Sequence, residues 1–226
     1  MKIEKYKLFI YGFVICSILS YIVYSFVLVN KSIEMFKNRE HNFNKIFQIG
    51  FNKCGTTSLF KYFESANIKC VHWDEGKLAD TIIHNFKNNK PLLKNYEDYT
   101  FFSDMENMPF YPHVEHYKLL DKQYPNSKFI LNIRKKQDWL KSREKHGSGQ
   151  YIKNRMNIYN LNKDKVIEKW SKEWDNHLKD VKEYFKKRPN DLLIYDIDID
   201  SSDKINYFFP TLNFKSTVLG TYNKTN

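Results

Sequence analysis

Apolar positions recur along this chain with two periods, and together they divide it into short strands and amphipathic helices. Lys45–Ile49 is a run rich in β-branched and aromatic residues and reads as a buried strand. Past the loop Gly50–Ser58, Leu59, Phe63 and Ala66 fall on one face at helical spacing. Ile68–His72 reads as a second strand, Gly76–Phe86 as a helix with Leu78, Ile82 and Phe86 in step, and Tyr99–Ser103 as a third strand. A helix near His113–Lys122 precedes a strand at Lys128–Ile133, and the next helix ends near Gly147, a natural C-terminal cap. Ser148–Asn162 reads as a polar loop. Lys163–Lys187 then reads as a long helix, in which Ile167, Trp170, Trp174, Leu178, Val181 and Phe185 recur every three or four residues. Pro189 stops it, and Asp191–Tyr195 makes a fifth strand. This alternation predicts an α/β fold: a mostly parallel sheet of about five strands flanked by helices on both faces. Ligands of such sheets gather at the carboxyl ends of the strands, which places the Gly50 loop, Arg134 and the residues after Val71 and Phe102 along one edge.

The amino-terminal region follows a different rule. Leu8–Val29 holds no charged residue across 22 positions and is bracketed by Lys5, Lys7 and Lys31. That length spans a bilayer as a helix, and it is too long for a typical signal-peptide core. The expected organisation is therefore a flank at residues 1–7, a transmembrane helix at 8–29, a stem at 30–44 and a folded domain at 45–226. Lysines on the two flanks balance, so charge gives no orientation. Asn30-Lys31-Ser32 and Asn223-Lys224-Thr225 are formal glycosylation acceptors, the second the more usable of the two.

Composition narrows the class of ligand. The chain has 226 residues, 42% hydrophobic and 17% aromatic, enough for one domain with its own core. Its net charge of +11 suits anionic small ligands or acidic glycans. The lysines are spread along the chain without a basic block, so no nucleic-acid partner is expected.

The chemistry concentrates in Gly50-Phe51-Asn52-Lys53-Cys54-Gly55-Thr56-Thr57-Ser58. A strand, a glycine-bounded loop and a helix start bring backbone N–H groups and a helix dipole onto one anion. A nucleoside triphosphatase loop would carry lysine directly after the second glycine. Here Thr56 follows Gly55, and Lys53 sits two places before it. The arrangement resembles the 5′-phosphosulfate-binding loop of the sulfotransferases. A second segment strengthens the likeness: in Lys128–Arg143 a strand ends in Arg134, with Ser142 eight residues later, similar to the family's 3′-phosphate motif.

The resemblance covers roughly Lys45 to Phe214 and implies a P-loop-like sulfotransferase fold. It implies 3′-phosphoadenosine-5′-phosphosulfate as sulfuryl donor, a hydroxyl acceptor and no metal; a carbohydrate is the expected acceptor, with tyrosyl peptide, lipid and small alcohol left open. Lys53 would neutralise the leaving oxygen, and Cys54, Gly55, Thr56, Thr57 and Ser58 would hold the 5′-phosphate. Arg134 and Ser142 would bind the 3′-phosphate. Kinship with Golgi members implies a single-pass type II membrane protein with a lumenal catalytic domain. The chain departs from better-known members in lacking a glycine-rich carboxyl-terminal loop and in carrying Lys135-Lys136 after Arg134.

A general base is sought at the ends of the second and third strands. Asp104 comes first, His72 second and Glu106 third. Cys54 and Cys70 are read as free thiols, a disulfide being the alternative, and Trp170 and Trp174 as core anchors. Leu192–Asp196 mimics the magnesium-holding strand of nucleoside triphosphatases, which keeps a kinase-like enzyme open; a silent nucleotide- or glycan-binding relative is the third reading. Ser148–Asn162 and Asn85–Asp98 are the segments expected to shape the acceptor side.

Overall fold

The computed structural model describes residues 20–26, 43–216 and 219–220. Residues 20–26 are helical. The rest of the 8–29 span, the 1–7 flank, the stem to residue 42 and both glycosylation acceptors lie outside the described residues. Among the described residues no helix is long and apolar enough to cross a membrane. The chain divides into Met1–Asn42 and Phe43–Asn226, and the second unit carries the sheet and the cleft.

Five strands form one all-parallel sheet: β1 (Ile46–Gln48), β2 (Cys70–His72), β3 (Phe101–Ser103), β4 (Lys128–Ile133) and β5 (Leu192–Asp196), in the order β2-β3-β1-β4-β5. β1 is central, so the chain reverses its direction of travel across the sheet there. The carboxyl end of β1 is the crevice where such sheets take ligands.

Side chains alternate across the sheet and feed two cores. Phe47, Phe102, Phe129 and Leu131 pack with α2 (Lys77–Lys87), α4 (Tyr117–Gln123) and the far end of α7 (Lys163–Phe185). Their neighbours Ile46, Phe101, Ile130 and Leu193 turn the other way, onto α1 (Thr56–Glu64) and α8 (Ser202–Phe208). At about 1.5–3 kcal/mol per large apolar side chain fully buried, these two layers dominate the stabilisation. A third cluster lies under the Gly50 loop, where Phe51 meets Trp139 of α5 (Lys136–Glu144), Ile152 of α6 (Gln150–Tyr159) and Trp170 and Trp174 of α7. Trp170 and Trp174 are core anchors, 0% and 4% exposed.

Several expectations change. Ser148–Asn162 is not a loop: α6 occupies most of it, with Ile152 and Arg155 buried one turn apart. Its many polar residues hid a helix whose inner face is partly charged. The His113–Lys122 helix is two pieces, α3 (Pro112–Glu115) and α4, interrupted at His116, whose ψ is 8°. Phe86 is 45% exposed and packs on His116 instead of the core. On α7 the buried stripe runs through Val166 and His177, leaving Ile167 and Leu178 half-buried. The helix ahead of Gly147 stops earlier, at Glu144. α8 was not foreseen; Ser201 caps it by accepting from the Asp203 N–H.

Candidate active site

The loop after β1 is held from outside. His177 meets the Ile49 carbonyl at 2.7 Å, and Trp139 Nε1 donates to Asn52 O at 3.0 Å. Arg134 Nη1 donates to Lys53 O at 3.3 Å, and Asn132 Nδ2 donates to Cys54 O at 2.7 Å. In a trans peptide the carbonyl and the following N–H point in opposite directions. Drawing the carbonyls of residues 52, 53 and 54 into the protein therefore turns the N–H groups of Lys53, Cys54 and Gly55 the other way. Lys53 and Gly55 sit at positive φ, 64° and 75°, on either side of Cys54, the backbone form of an anion-binding nest. α1 begins at Thr56, earlier than its apolar periodicity suggested, so its positive end adds to the same spot.

That loop floors a cleft of about 1460 Å³. Lys53, Gly55, Thr56, Thr57, Ser58, Arg134 and Ser142 all line it, as do His72, Asp104 and Glu106. Of the predicted site residues only Cys54 does not line it; its side chain is fully buried in the cluster beneath, and burial raises its thiol pKa. Cys54 and Cys70 are free thiols. On α5, Asp138, Lys141 and Ser142 face the cleft while Trp139 and Arg143 face the core, the split a helix makes at three- and four-residue spacing.

Charge is arranged in layers. Lys53 lies within electrostatic reach of both Asp104 and Arg134, and partial burial lowers its pKa. Arg134 Nη2 is 3.6 Å from Asp198 Oδ1, in the turn after β5. Asp104 follows β3 at φ 53° with its side chain 19% exposed, and Oδ2 is 3.8 Å from His72 Nε2. Burial, reinforced by Glu106, pushes Asp104 above the usual carboxylate range, with Lys53 and Arg143 opposing. His72 is pushed down to about 4 by burial and then by Lys61, so its ring is neutral at neutral pH. Its Nδ1 meets Ser103 Oγ at 2.7 Å and its Nε2 meets Thr57 Oγ1 at 3.3 Å, so it ties the loop to the base candidates.

This loop, with Lys53 beside it and Arg134 at the end of β4, lies within a stretch that matches the sulfotransferase domain family over residues 45–195. The chain belongs to that family. No curated protein matches it. Sulfuryl transfer is the chemistry of the family.

Other features of this sulfotransferase domain escaped sequence reading. Asn132, the one polar residue in the apolar run Phe129–Ile133, bridges the loop: its Oδ1 accepts from Gly50 N–H at 3.0 Å while Nδ2 donates to the Cys54 carbonyl. That single polar interruption was the available signal. Behind Glu106 lies a buried network. Glu106 Oε1 accepts from Asn52 Nδ2 at 2.6 Å and from Tyr151 OH at 3.2 Å, and Arg143 and Arg155 each donate to the Tyr151 oxygen at 2.9 Å. Two buried guanidinium groups thus meet Glu106 through a phenol, which fixes the position of its Oε1. Asn85–Asp98 contributes nothing to the cleft lining, and Asn85 is occupied in bonding the Leu92 and Lys94 carbonyls. Ser148–Asn162 contributes Tyr151. Leu219 and Gly220, from the tail that lacks the family's glycine-rich pattern, also line the cleft. Lys136 pairs with Asp175 of α7 at 2.6 Å, and the Lys135 N–H donates to Asp198 at 3.0 Å. Both lysines after Arg134 are therefore tied into the fold.

Proposed function

We propose that this protein transfers the sulfuryl group of 3′-phosphoadenosine-5′-phosphosulfate to a hydroxyl acceptor, foremost a carbohydrate. The observation that carries the reading is the Gly50–Ser58 loop, with its amides turned away from the protein body and Lys53 within electrostatic reach of Arg134 and Asp104. The loop amides and the Thr56, Thr57 and Ser58 hydroxyls hold the 5′-phosphate. Arg134 and Ser142 take the 3′-phosphate, the arginine through charge-assisted hydrogen bonds.

An acceptor oxygen attacks sulfur in line, and the bond from sulfur to the bridging phosphate oxygen breaks. The leaving bisphosphate takes the electron pair, and Lys53 neutralises the charge on that oxygen. Asp104 receives the acceptor's proton, a role its raised pKa suits. His72, neutral and 3.8 Å from Asp104, lines the cleft beside it and is itself held by Ser103 and Thr57. Positioning and electrostatics supply most of the rate, as in phosphoryl transfer. The uncharged run Leu8–Val29 supports a single membrane anchor, tested by resistance of the full chain to carbonate extraction, and the likeness to Golgi members supports its type II orientation in the secretory pathway.

Calorimetric titration with 3′-phosphoadenosine-5′-phosphate, and separately with ATP plus magnesium, tests the donor assignment. The bisphosphate is expected to bind and ATP not, with Arg134→Ala costing about 1.5–3 kcal/mol, the worth of a charged hydrogen bond. Binding of ATP in its place would replace this reading with a kinase-like one.

A further inference from the structure

The acceptor end of the cleft differs in kind from the donor end. Of the chain's 4 tryptophans, Trp139 and Trp170 are fully buried and Trp174 nearly so. Trp73 is 47% exposed and lines the cleft, as do its neighbour His72 and Asp104. Its backbone belongs to an unusual turn: Trp73, Asp74 and Glu75 have successive φ values of 58°, 51° and 55°, a region L side chains rarely adopt. The turn is pinned from three sides. Tyr96 OH donates to Asp74 Oδ2 at 2.7 Å, and the Trp73 N–H donates to Ser103 O at 3.1 Å. Gly76 lies so close to Asn107 that a Cβ there would sit 2.7 Å from Asn107 Nδ2. An indole gains by being covered. A strained, pinned turn that keeps one in an open cleft points to a ligand that covers it.

The polar groups at this end are hydrogen-bond acceptors. Glu106 and Asn52, 7% and 6% exposed, both line the cleft, and Glu106 Oε2 and Asn52 Oδ1 have no hydrogen-bond partner among the described residues. Asp104 Oδ1 is in the same state. Three orphaned oxygens call for donors. A phenol brings one hydroxyl, and the reaction consumes it. A sugar ring brings a C–H face for the indole and several hydroxyls at its edge. A uronic or sulfate group would bring further acceptors, not donors, to these oxygens, and burial lowers the pKa of nearby His146 and favours its neutral ring. Lys141 and Lys145 are also in the lining, on and just beyond the helix that carries Ser142.

We propose that Trp73 is the stacking platform, and Asp104, Glu106 and Asn52 the hydrogen-bonding edge, of a subsite for an uncharged saccharide. The inference rests on the sulfuryl-transfer reading and names its acceptor. The sugar ring covers the indole, the hydroxyl to be sulfated approaches Asp104, and its neighbours donate to Glu106 and Asn52.

The full-length protein is titrated with lactose and N-acetyllactosamine as uncharged probes, a heparin-derived disaccharide as the acidic probe and 4-nitrophenol as the phenol. Each titration is run with and without saturating bisphosphate. Binding is read by calorimetry, and contact by protection of tryptophan emission from acrylamide, since Trp73 is the exposed tryptophan. Either neutral disaccharide is expected to bind and to protect the emission. Trp73→Ala should weaken that binding about 10-fold or more, the scale of losing an aromatic anchor, with bisphosphate affinity unchanged. Trp73→Phe should restore most of the affinity but not the fluorescence response. Preference for the acidic disaccharide or the phenol, no binding of either neutral sugar, or undiminished binding by Trp73→Ala overturns the proposal. Loss of bisphosphate binding alone would fall on the donor assignment and leave the saccharide subsite standing.

Discussion

A Cβ placed on Gly50 would lie 2.1 Å from the carbonyl oxygen of Asn132. The two residues therefore fix how closely the phosphate loop approaches β4, and Asn132 closes that contact with a hydrogen bond at each end of the loop. The obstacle is backbone and cannot rotate away. Gly50→Ala should destabilise the domain by about 1–3 kcal/mol, the cost of overpacking, and weaken bisphosphate binding by shifting the loop. Asn132→Ala should cost about 2–4 kcal/mol, because it strands a buried N–H and a buried carbonyl. Urea midpoints and calorimetry on the same variants check both.

The second relationship concerns Arg134, which is shared between the Lys53 carbonyl and Asp198; on the proposed reading a 3′-phosphate competes with that carboxylate. The pair is partly exposed, so it is worth at most about 1 kcal/mol. Asp198→Asn keeps an acceptor for the Lys135 N–H but removes the charge. Bisphosphate should then bind a few-fold tighter at low salt, with the difference shrinking as salt rises. An unchanged dissociation constant at low salt would show that Asp198 does not compete.

Asp104 links pH, stability and activity. Folded, it holds its proton to higher pH than in the unfolded chain, where aspartate titrates near about 3.9. Between the two pKa values the folded state binds more protons, so this group's contribution to stability falls as pH rises through that window. Asp104→Asn should therefore be more stable than wild type at pH 8 by at least about 1 kcal/mol, and the gap should close toward pH 4. Transfer should move oppositely. If Asp104 is the base as proposed, wild-type activity should rise as Asp104 ionises, whereas the variant should lack that limb and lose about 10²–10⁴ in rate. Thermal melts across pH and a pH–rate profile separate the two effects.

Much of this molecule was legible in the chain. The apolar runs read as buried strands do feed both cores, Phe47, Phe129 and Leu131 into one and Ile46 and Ile130 into the other, and the strand Lys128–Ile133 falls where the pattern put it. Loop, lysine, arginine and serine converge on one cleft because parallel strands bring their carboxyl ends together. What stayed hidden was tertiary. α6 carries Arg155 on its buried face, so hydrophobic periodicity could not mark it as a helix. The Glu106–Tyr151–Arg143–Arg155 network is spread over segments up to 49 residues apart (155 − 106), and no local pattern announces it. The positive φ at Trp73, Asp74 and Glu75 has no glycine or asparagine to signal it.

The most direct measurement follows ³⁵S from labelled 3′-phosphoadenosine-5′-phosphosulfate onto lactose or N-acetyllactosamine, comparing wild type with Lys53→Ala under saturating donor. The account predicts transfer by wild type with stoichiometric release of bisphosphate. Lys53→Ala should cut the rate by about 10²–10³ with donor affinity little changed, because Lys53 acts chiefly on charge that appears in the transition state. Wild-type transfer undiminished in Lys53→Ala, or a wild type that binds bisphosphate yet moves no label to any acceptor, would contradict it.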